Sequence, residues 1–412
     1  MSTVTPLRIG FLTLDWPPTS GGMARFCFET AVALQRRGHE IVVLAGRGAA
    51  DVPGMRVVRG LIGDLSHDIH LVQAHEQGID LWHGWEHGFG GLADAVAAPM
   101  VVTVHGNDLF SPKVYYRFTH TPMLHRFAMR MALPLWQRRM CRTGFERVAS
   151  FLPNSLNTQR LLVEHYPECG RAQIIPCGVS DSFFQDRAPR SPGPVRLLTV
   201  CSLSKTRPRK NVASVLKALA NLRDSHDFQY DVIGGGDALD EHRRLAASLG
   251  LGDLVRFHGT ISDDRLYEAY PRADLFVLTP TESANDIEGF GIVYLEANAS
   301  GVPVLAMRTG GVTDAVRDGV SGYFAASAEP GDIADAIVRF LDGHVQFDQN
   351  AVRGWAAAHR YEKVAERVEQ VYTRSYAVSD MHAWPPTTAA MPRDFTMTAN
   401  IQPYSNHAGR SQ

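Results

Sequence analysis

Two stretches of strand-and-helix alternation, divided by a proline-dense interruption, constrain this chain more than any other feature. In the first, residues 7–13 read as a buried strand and residues 17–22 as a loop; the apolar spacing of Ala24, Phe28, Ala31 and Leu34 then predicts a helix ending near Gly38. Further short apolar runs at 41–44, 81–82, 100–104 and 148–152 complete the pattern of a parallel sheet with crossover helices. Residues 187–194 carry three prolines and no apolar period, so a linker is expected at 187–195. The alternation then resumes with strand-like runs at 197–200, 230–233, 255–258, 275–278 and 304–306. With 412 residues, the chain has room for two domains of roughly 200 residues each. The reading is α/β throughout: a first domain over 1–186, a second over 196–354, and two parallel sheets facing a cleft. Val364, Val368, Val371 and Tyr372 share one helical face, which predicts a last helix, about 355–376, that returns to the first domain. From about 378 onward the sequence is polar and proline-broken, as expected of a disordered tail.

Composition removes several function classes. Lys plus Arg number 41 against 43 Asp plus Glu, so no overall basic charge marks a nucleic-acid partner. The five cysteines never fall as Cys-x-x-Cys, which argues against a disulfide framework or a structural zinc site and favours a reducing, cytoplasmic setting. Arg8, Asp15, Pro17 and Pro18 interrupt the first twenty residues, so no secretory leader is expected, and no apolar stretch reaches about 18 residues.

In open parallel sheets ligands sit beyond the carboxyl ends of the strands, so chemistry should gather in the loops that follow them. Gly21-Gly22 follows the first strand and opens a helix, where backbone N–H groups can face a phosphate; equally, the two glycines can serve only as a turn. The strongest constellation runs from Glu288 through Gly289, Phe290, Gly291 and Ile292 to Glu296 and on to the strand at Val304. Residues eight apart on a helix are separated by about 12 Å and turned by about 80°, so two glutamates flanking such an element can hold opposite ends of one elongated ligand. A helix-dipole carboxylate and a solvated helix face are the bland alternatives for Glu288 and Glu296.

This pattern resembles the paired-glutamate signature of glycosyltransferase family 4, retaining enzymes of GT-B fold built from two Rossmann-like domains. The resemblance extends to Gly310-Gly311-Val312-Thr313-Asp314, Ile175-Pro176-Cys177-Gly178-Val179 and Thr103-Val104-His105-Gly106, and covers roughly residues 7–375. It implies a hexosyltransferase that moves a sugar from a nucleotide-sugar donor to a hydroxyl on a sugar, lipid-linked or small-molecule acceptor, as in envelope polysaccharide, glycolipid or other glycoconjugate synthesis. Glu288 would contact donor-sugar hydroxyls, helped by the amides of Gly289, Phe290, Gly291 and Ile292, and Glu296 the ribose. Gly21, Gly22 and Gly235 would lie along the donor, with His105 near the reacting sugar. His83 would belong to the cleft wall.

A departing diphosphate needs cations, and Lys205, Arg207, Arg209 and Lys210 follow the strand that ends at Val200. A solvated basic loop is the plain alternative. Lys210-Asn211 resembles the family lysine, which implies that Lys210 meets the phosphates; the family commonly has Gly-Arg-Leu where this chain has Cys201-Ser202-Leu203, so Lys205, Arg207 or Arg209 is expected to replace the missing arginine. His83 and His87 have ligand-like spacing, yet no Asp-x-Asp occurs and the resemblance implies no metal or other cofactor. Between His105 and Arg147 eight basic residues face two acidic ones with apolar residues between them, which fits either peripheral contact with an anionic membrane or a helix lining the acceptor cleft. The rivals are a GT-B epimerase or phosphorylase and, outside enzymology, a sugar-nucleotide-binding regulator.

Overall fold

The computed structural model describes residues 5–19, 21–110, 113–114, 138–139, 141–187, 192–206, 208–283 and 286–381. The first sheet has six strands, β1 (Arg8–Thr13), β2 (Glu40–Gly46), β3 (Arg56–Leu61), β4 (Leu81–Gly84), β5 (Met100–Val104) and β6 (Ser150–Pro153), in the order 3-2-1-4-5-6. The second contains β7 (Val195–Val200), β8 (Phe228–Ile233), β9 (Val255–Gly259), β10 (Leu275–Val277), β11 (Val304–Ala306) and β12 (Gly322–Phe324), in the order 12-11-10-7-8-9. Every named pairing is parallel. Counted from its own first strand, each sheet has the same doubly wound order. The order reverses between β1 and β4 in one sheet and between β7 and β10 in the other, and those reversals open crevices for ligands.

The central strands are buried on both faces and therefore appear as continuous apolar runs: Met100–Val104 is fully buried, as is β2 from Ile41 to Ala45. Strands β3 and β12 were not expected from the sequence. Both lie at sheet edges; Arg56-Val-Val-Arg-Gly-Leu61 is largely half-exposed and its charges hide any apolar run.

The returning helix spans Tyr361–Met381 and packs on the first-half helix Gly22–Arg36. Its predicted face, Val364, Val368, Val371 and Tyr372, is buried, within one apolar core that joins both halves. Polar contacts fix its register: Arg37 bonds Glu362 and Glu369 at 2.6 Å each, and His39 Nε2 lies 3.0 Å from the buried Glu369. His39 Nδ1 accepts the Leu7 N–H, which leaves Nε2–H to donate to that carboxylate. The helix continues to Met381, past the expected start of the disordered tail; residues 382–412 lie outside the described residues. Among the described residues no helix is long and apolar enough to cross a membrane.

Candidate active site

Two helix beginnings meet across the cleft. Helix Gly22–Arg36 starts after Gly21, and helix Ile292–Ala299 after Gly291, whose φ of 91° suits glycine. Neither has a side-chain cap or an acidic residue in its first turn. A methyl group placed on Gly22 would sit 3.6 Å from the Ile292 side chain, so these two N-termini are neighbours. Each end of this kind presents unbonded N–H groups and the positive pole of a helix dipole, a setting that favours an anion.

Glu288 lies before the second of these helices, so the two signature glutamates do not share a helix as their spacing alone allowed; only Glu296 is helical. Burial pushes the Glu288 carboxyl up, but Lys210 and Arg209 outweigh it and hold the group below the usual carboxylate range. Lys210 Nζ is 2.5 Å from Glu288 Oε2, and Arg209 Nη2 is 3.7 Å from the same oxygen. The turn Pro208–Lys210 delivers both cations and ends at Asn211, a non-glycine residue with φ of 58° whose side chain donates to the Ala328 carbonyl at 3.1 Å.

The cations expected to replace the family arginine divide in three. Arg209 is committed to acids and backbone: besides Glu288 it lies 3.3 Å from Asp286 and donates to the Ile287 carbonyl at 3.2 Å. Lys205 is exposed, its backbone N–H held by Asp237 at 2.8 Å. Arg207 lies outside the described residues.

From the first half, His105 follows β5. Its Nε2 is 3.0 Å from the Trp85 carbonyl and its backbone N–H donates to Asp108 at 3.0 Å. Burial lowers its pKa, with Asp108 acting the other way. The carbonyl oxygen of His105 is pressed against Gly289: a β-carbon there would lie 2.0 Å from it. Asn107 secures the same seam, accepting the Ile287 N–H at 2.9 Å. Thus the structure brings Gly21, Gly22, Lys210, His105, Glu288, Gly289, Phe290, Gly291 and Ile292 to one place. Gly235 has a packing reason for its missing side chain, since a β-carbon would fall 2.4 Å from Thr260 Oγ1.

His83 is not part of the cleft wall. It is fully buried within β4, with Tyr372 at 2.6 Å and Thr103 at 2.8 Å, and burial pushes its pKa down to about 3. Nor do His83 and His87 share a helix, and His87 is buried beyond the strand without a hydrogen bond to either ring nitrogen. No group of three or more His, Cys, Asp or Glu side chains is placed to hold a metal among the described residues. All five cysteines are free and buried. Most of the basic stretch 113–142 lies outside the described residues. A cavity of about 510 Å³ lies on the face of the second sheet rather than between the halves, and shares no residue with this site.

Sequence reasoning missed Arg25 and Tyr270. Glu296 accepts from Tyr270 OH at 2.7 Å and lies 3.4 Å from Arg25 Nη1, while Arg25 Nη2 bonds Asp263 at 2.9 Å. Arg25 stands three residues after Gly22, and that offset from the glycine pair was the available signal.

Residues 186–354 match the family described as "Glycosyl transferases group 1", and residues 20–183 match "Glycosyltransferase Family 4". The chain belongs to glycosyltransferase family 4. This glycosyltransferase is 29% identical to the GDP-mannose-dependent alpha-(1-6)-phosphatidylinositol monomannoside mannosyltransferase of Mycobacterium tuberculosis, over 81% of this chain and 89% of that one. It is 34% identical to the D-inositol 3-phosphate glycosyltransferase of Acidothermus cellulolyticus over 54% of this chain, an alignment that spans only 53% of that relative's length. The glycosyltransferase fold is similar to that of sucrose-phosphate synthase from Thermosynechococcus elongatus, with a TM-score of 0.72, 20% identity and coverage of 90% and 100% of the two chains. It is also similar to Anabaena HepE in complex with UDP and glucose, with a TM-score of 0.66, 18% identity and coverage of 89% and 99%. These neighbours are GT-B glycosyltransferases, and the two Rossmann-like parallel sheets of this chain are that fold.

Proposed function

We propose that this glycosyltransferase moves a hexosyl group from a nucleoside diphosphate sugar to a hydroxyl acceptor with retention of anomeric configuration. The observation that carries the reading is the meeting of two uncapped helix N-termini beside the Lys210–Glu288 pair, opposite His105. The diphosphate rests on the helix N-termini. An ammonium has three donors, so Lys210 can bond Glu288 and still present N–H groups to phosphate oxygens as charge grows on them. Ionised Glu288 accepts hydroxyls of the donor sugar, and Glu296 those of the ribose. The acceptor hydroxyl forms its bond to the anomeric carbon on the face from which the diphosphate leaves, and the departing phosphate takes the hydroxyl proton. No metal is needed, because these fixed charges serve the diphosphate.

The names of the relatives support an inositol phosphate or a phosphatidylinositol monomannoside as acceptor, and we infer glycoconjugate assembly in the cytoplasm beside a membrane. The basic stretch 113–142 would supply a peripheral, salt-sensitive contact with anionic lipid. The test is transfer from GDP-mannose and from UDP-glucose to inositol 3-phosphate or phosphatidylinositol monomannoside, with and without EDTA. We expect acceptor-dependent release of nucleoside diphosphate, unaffected by chelation, and an α-linked product by NMR. Tight donor binding with no product from any acceptor would favour the regulator reading instead, and a β-linked product would overturn retention.

A further inference from the structure

We propose that Arg25 is a positioning residue of the donor site, supplied by the first half of the chain, which fixes Glu296 for the ribose and closes the nucleoside end of the cleft. This rests on the reading that Glu296 receives the ribose hydroxyls. Arg25 belongs to the first turn of helix Gly22–Arg36, yet its guanidinium reaches two acids of the second half, Glu296 at 3.4 Å and Asp263 at 2.9 Å. Its Cζ lies over the Phe183 ring, 5.4 Å from the ring centre, a cation–π contact that helps to hold the guanidinium in place.

The two acids differ. The Asp263 side chain is 64% exposed and that of Glu296 only 6%, so Asp263 anchors the guanidinium near solvent while Glu296 is the partner that needs its charge. Four groups bear on the Glu296 carboxylate from the elements around it. Tyr270 donates to it, Asp263 and the buried Tyr361 are neutral or like-charged neighbours, and Arg25 is the cation. Burial is the largest influence and raises the Glu296 pKa above the usual carboxylate value, and Arg25, with the Tyr270 hydrogen bond, limits that rise. A carboxylate can accept both hydroxyls of a vicinal diol, whereas a carboxylic acid spends one oxygen on its own proton. Without Arg25, Glu296 would take up a proton more readily as the pH falls, and ribose recognition would weaken in step.

The selective readout is nucleoside diphosphate against inorganic pyrophosphate, which has no ribose and engages only the helix N-termini and Lys210. Affinities are measured calorimetrically between pH 5.5 and 8 with pyrophosphate and with whichever of GDP and UDP the unaltered protein binds. For Arg25→Met we expect nucleoside diphosphate affinity to fall at least tenfold at pH 6 and to recover partly toward pH 8. Pyrophosphate affinity should stay within twofold, and Arg25→Lys should restore most of the loss. Equal loss for both ligands, or none, in a variant with unchanged circular dichroism would overturn the proposal. Glu296→Ala separates the two readings: if it too binds nucleoside diphosphate normally, the ribose assignment fails, and if it alone is weakened, the role given to Arg25 fails.

Discussion

Lys210 and Glu288 cannot be treated as independent contributors, because each sets the state of the other. With Nζ at 2.5 Å, Lys210 is the nearer of the two cations that keep a buried carboxylate ionised. Lys210→Ala therefore removes a charge from the phosphate end and also lets burial raise the Glu288 pKa. Loss of one prepositioned charge costs about 3 kcal/mol in the transition state, or about a hundredfold in turnover. Because Glu288 would then hold its proton to a higher pH, the residual rate of Lys210→Ala should depend on pH more steeply than that of the unaltered enzyme, in which Lys210 and Arg209 together hold Glu288 ionised. Glu288→Gln keeps the shape but loses the anionic acceptor, so it should slow transfer and leave the affinity for free nucleoside diphosphate nearly intact. Steady-state kinetics from pH 6 to 8 check both, and full turnover by Lys210→Ala would move the phosphate contact to Lys205 or Arg207. The sequence motifs assigned Glu288 to the sugar and a basic loop to the phosphates, but not that the two pair, nor that Arg209 is committed to Asp286 and Ile287, partners 77 and 78 positions away.

The returning helix shows what periodicity reveals and what it leaves out. Four residues on one face made its apolar side legible, since burial against another helix leaves a 3.6-residue trace. Its polar fastening to Arg37 and His39 left none, because charged residues at helical spacing look alike in a sequence whether or not they have distant partners. For the same reason β3 was invisible, as an edge strand in contact with solvent has no need of an apolar run. The fastening predicts a pH-dependent stability. Glu369 is buried, which raises its pKa, but hydrogen bonds from Arg37 and His39 hold it below the usual value. A group lowered on folding stabilises above its unfolded pKa, and this contribution is lost as the pH falls through the folded value. Glu369→Ala should then lower stability by about 2 kcal/mol at pH 7, seen as a lower Tm, and the difference from the unaltered protein should shrink below about pH 4. A Tm difference that persists unchanged at pH 3 would show that packing, not the ion pair, is what the substitution removes.

At the scale of the whole molecule, the two-sheet architecture was readable because each half repeats its own alternation, but the way the halves meet was not. The seam is made of contacts between residues more than 150 positions apart, such as Asn107 with Ile287 and the Leu156 N–H with Asp314, and no local pattern encodes them. Three backbones close on one another there. A β-carbon on Gly289 would meet the His105 carbonyl oxygen at 2.0 Å, and one on Gly311 would meet the Gly289 carbonyl oxygen at 1.9 Å. Glycine at 289 is thus required by proximity, whatever part its amide plays toward a donor. Because the obstructing atoms are backbone, Gly289→Ala cannot be relieved by turning a side chain, and the halves must separate by an ångström or more where the His105 carbonyl meets Gly289, next to Glu288. Misplacement of that size costs about a hundredfold when reacting groups must be held in register. Each half keeps its own six-stranded sheet, so the far-ultraviolet circular dichroism should not change, and Lys210 with Glu288 still shares the second half. We therefore expect Gly289→Ala to lose transfer about a hundredfold while its pyrophosphate affinity falls only severalfold. Turnover within threefold of the unaltered enzyme would show that the seam opens during the catalytic cycle, and that its closure in this structure is not the state that reacts.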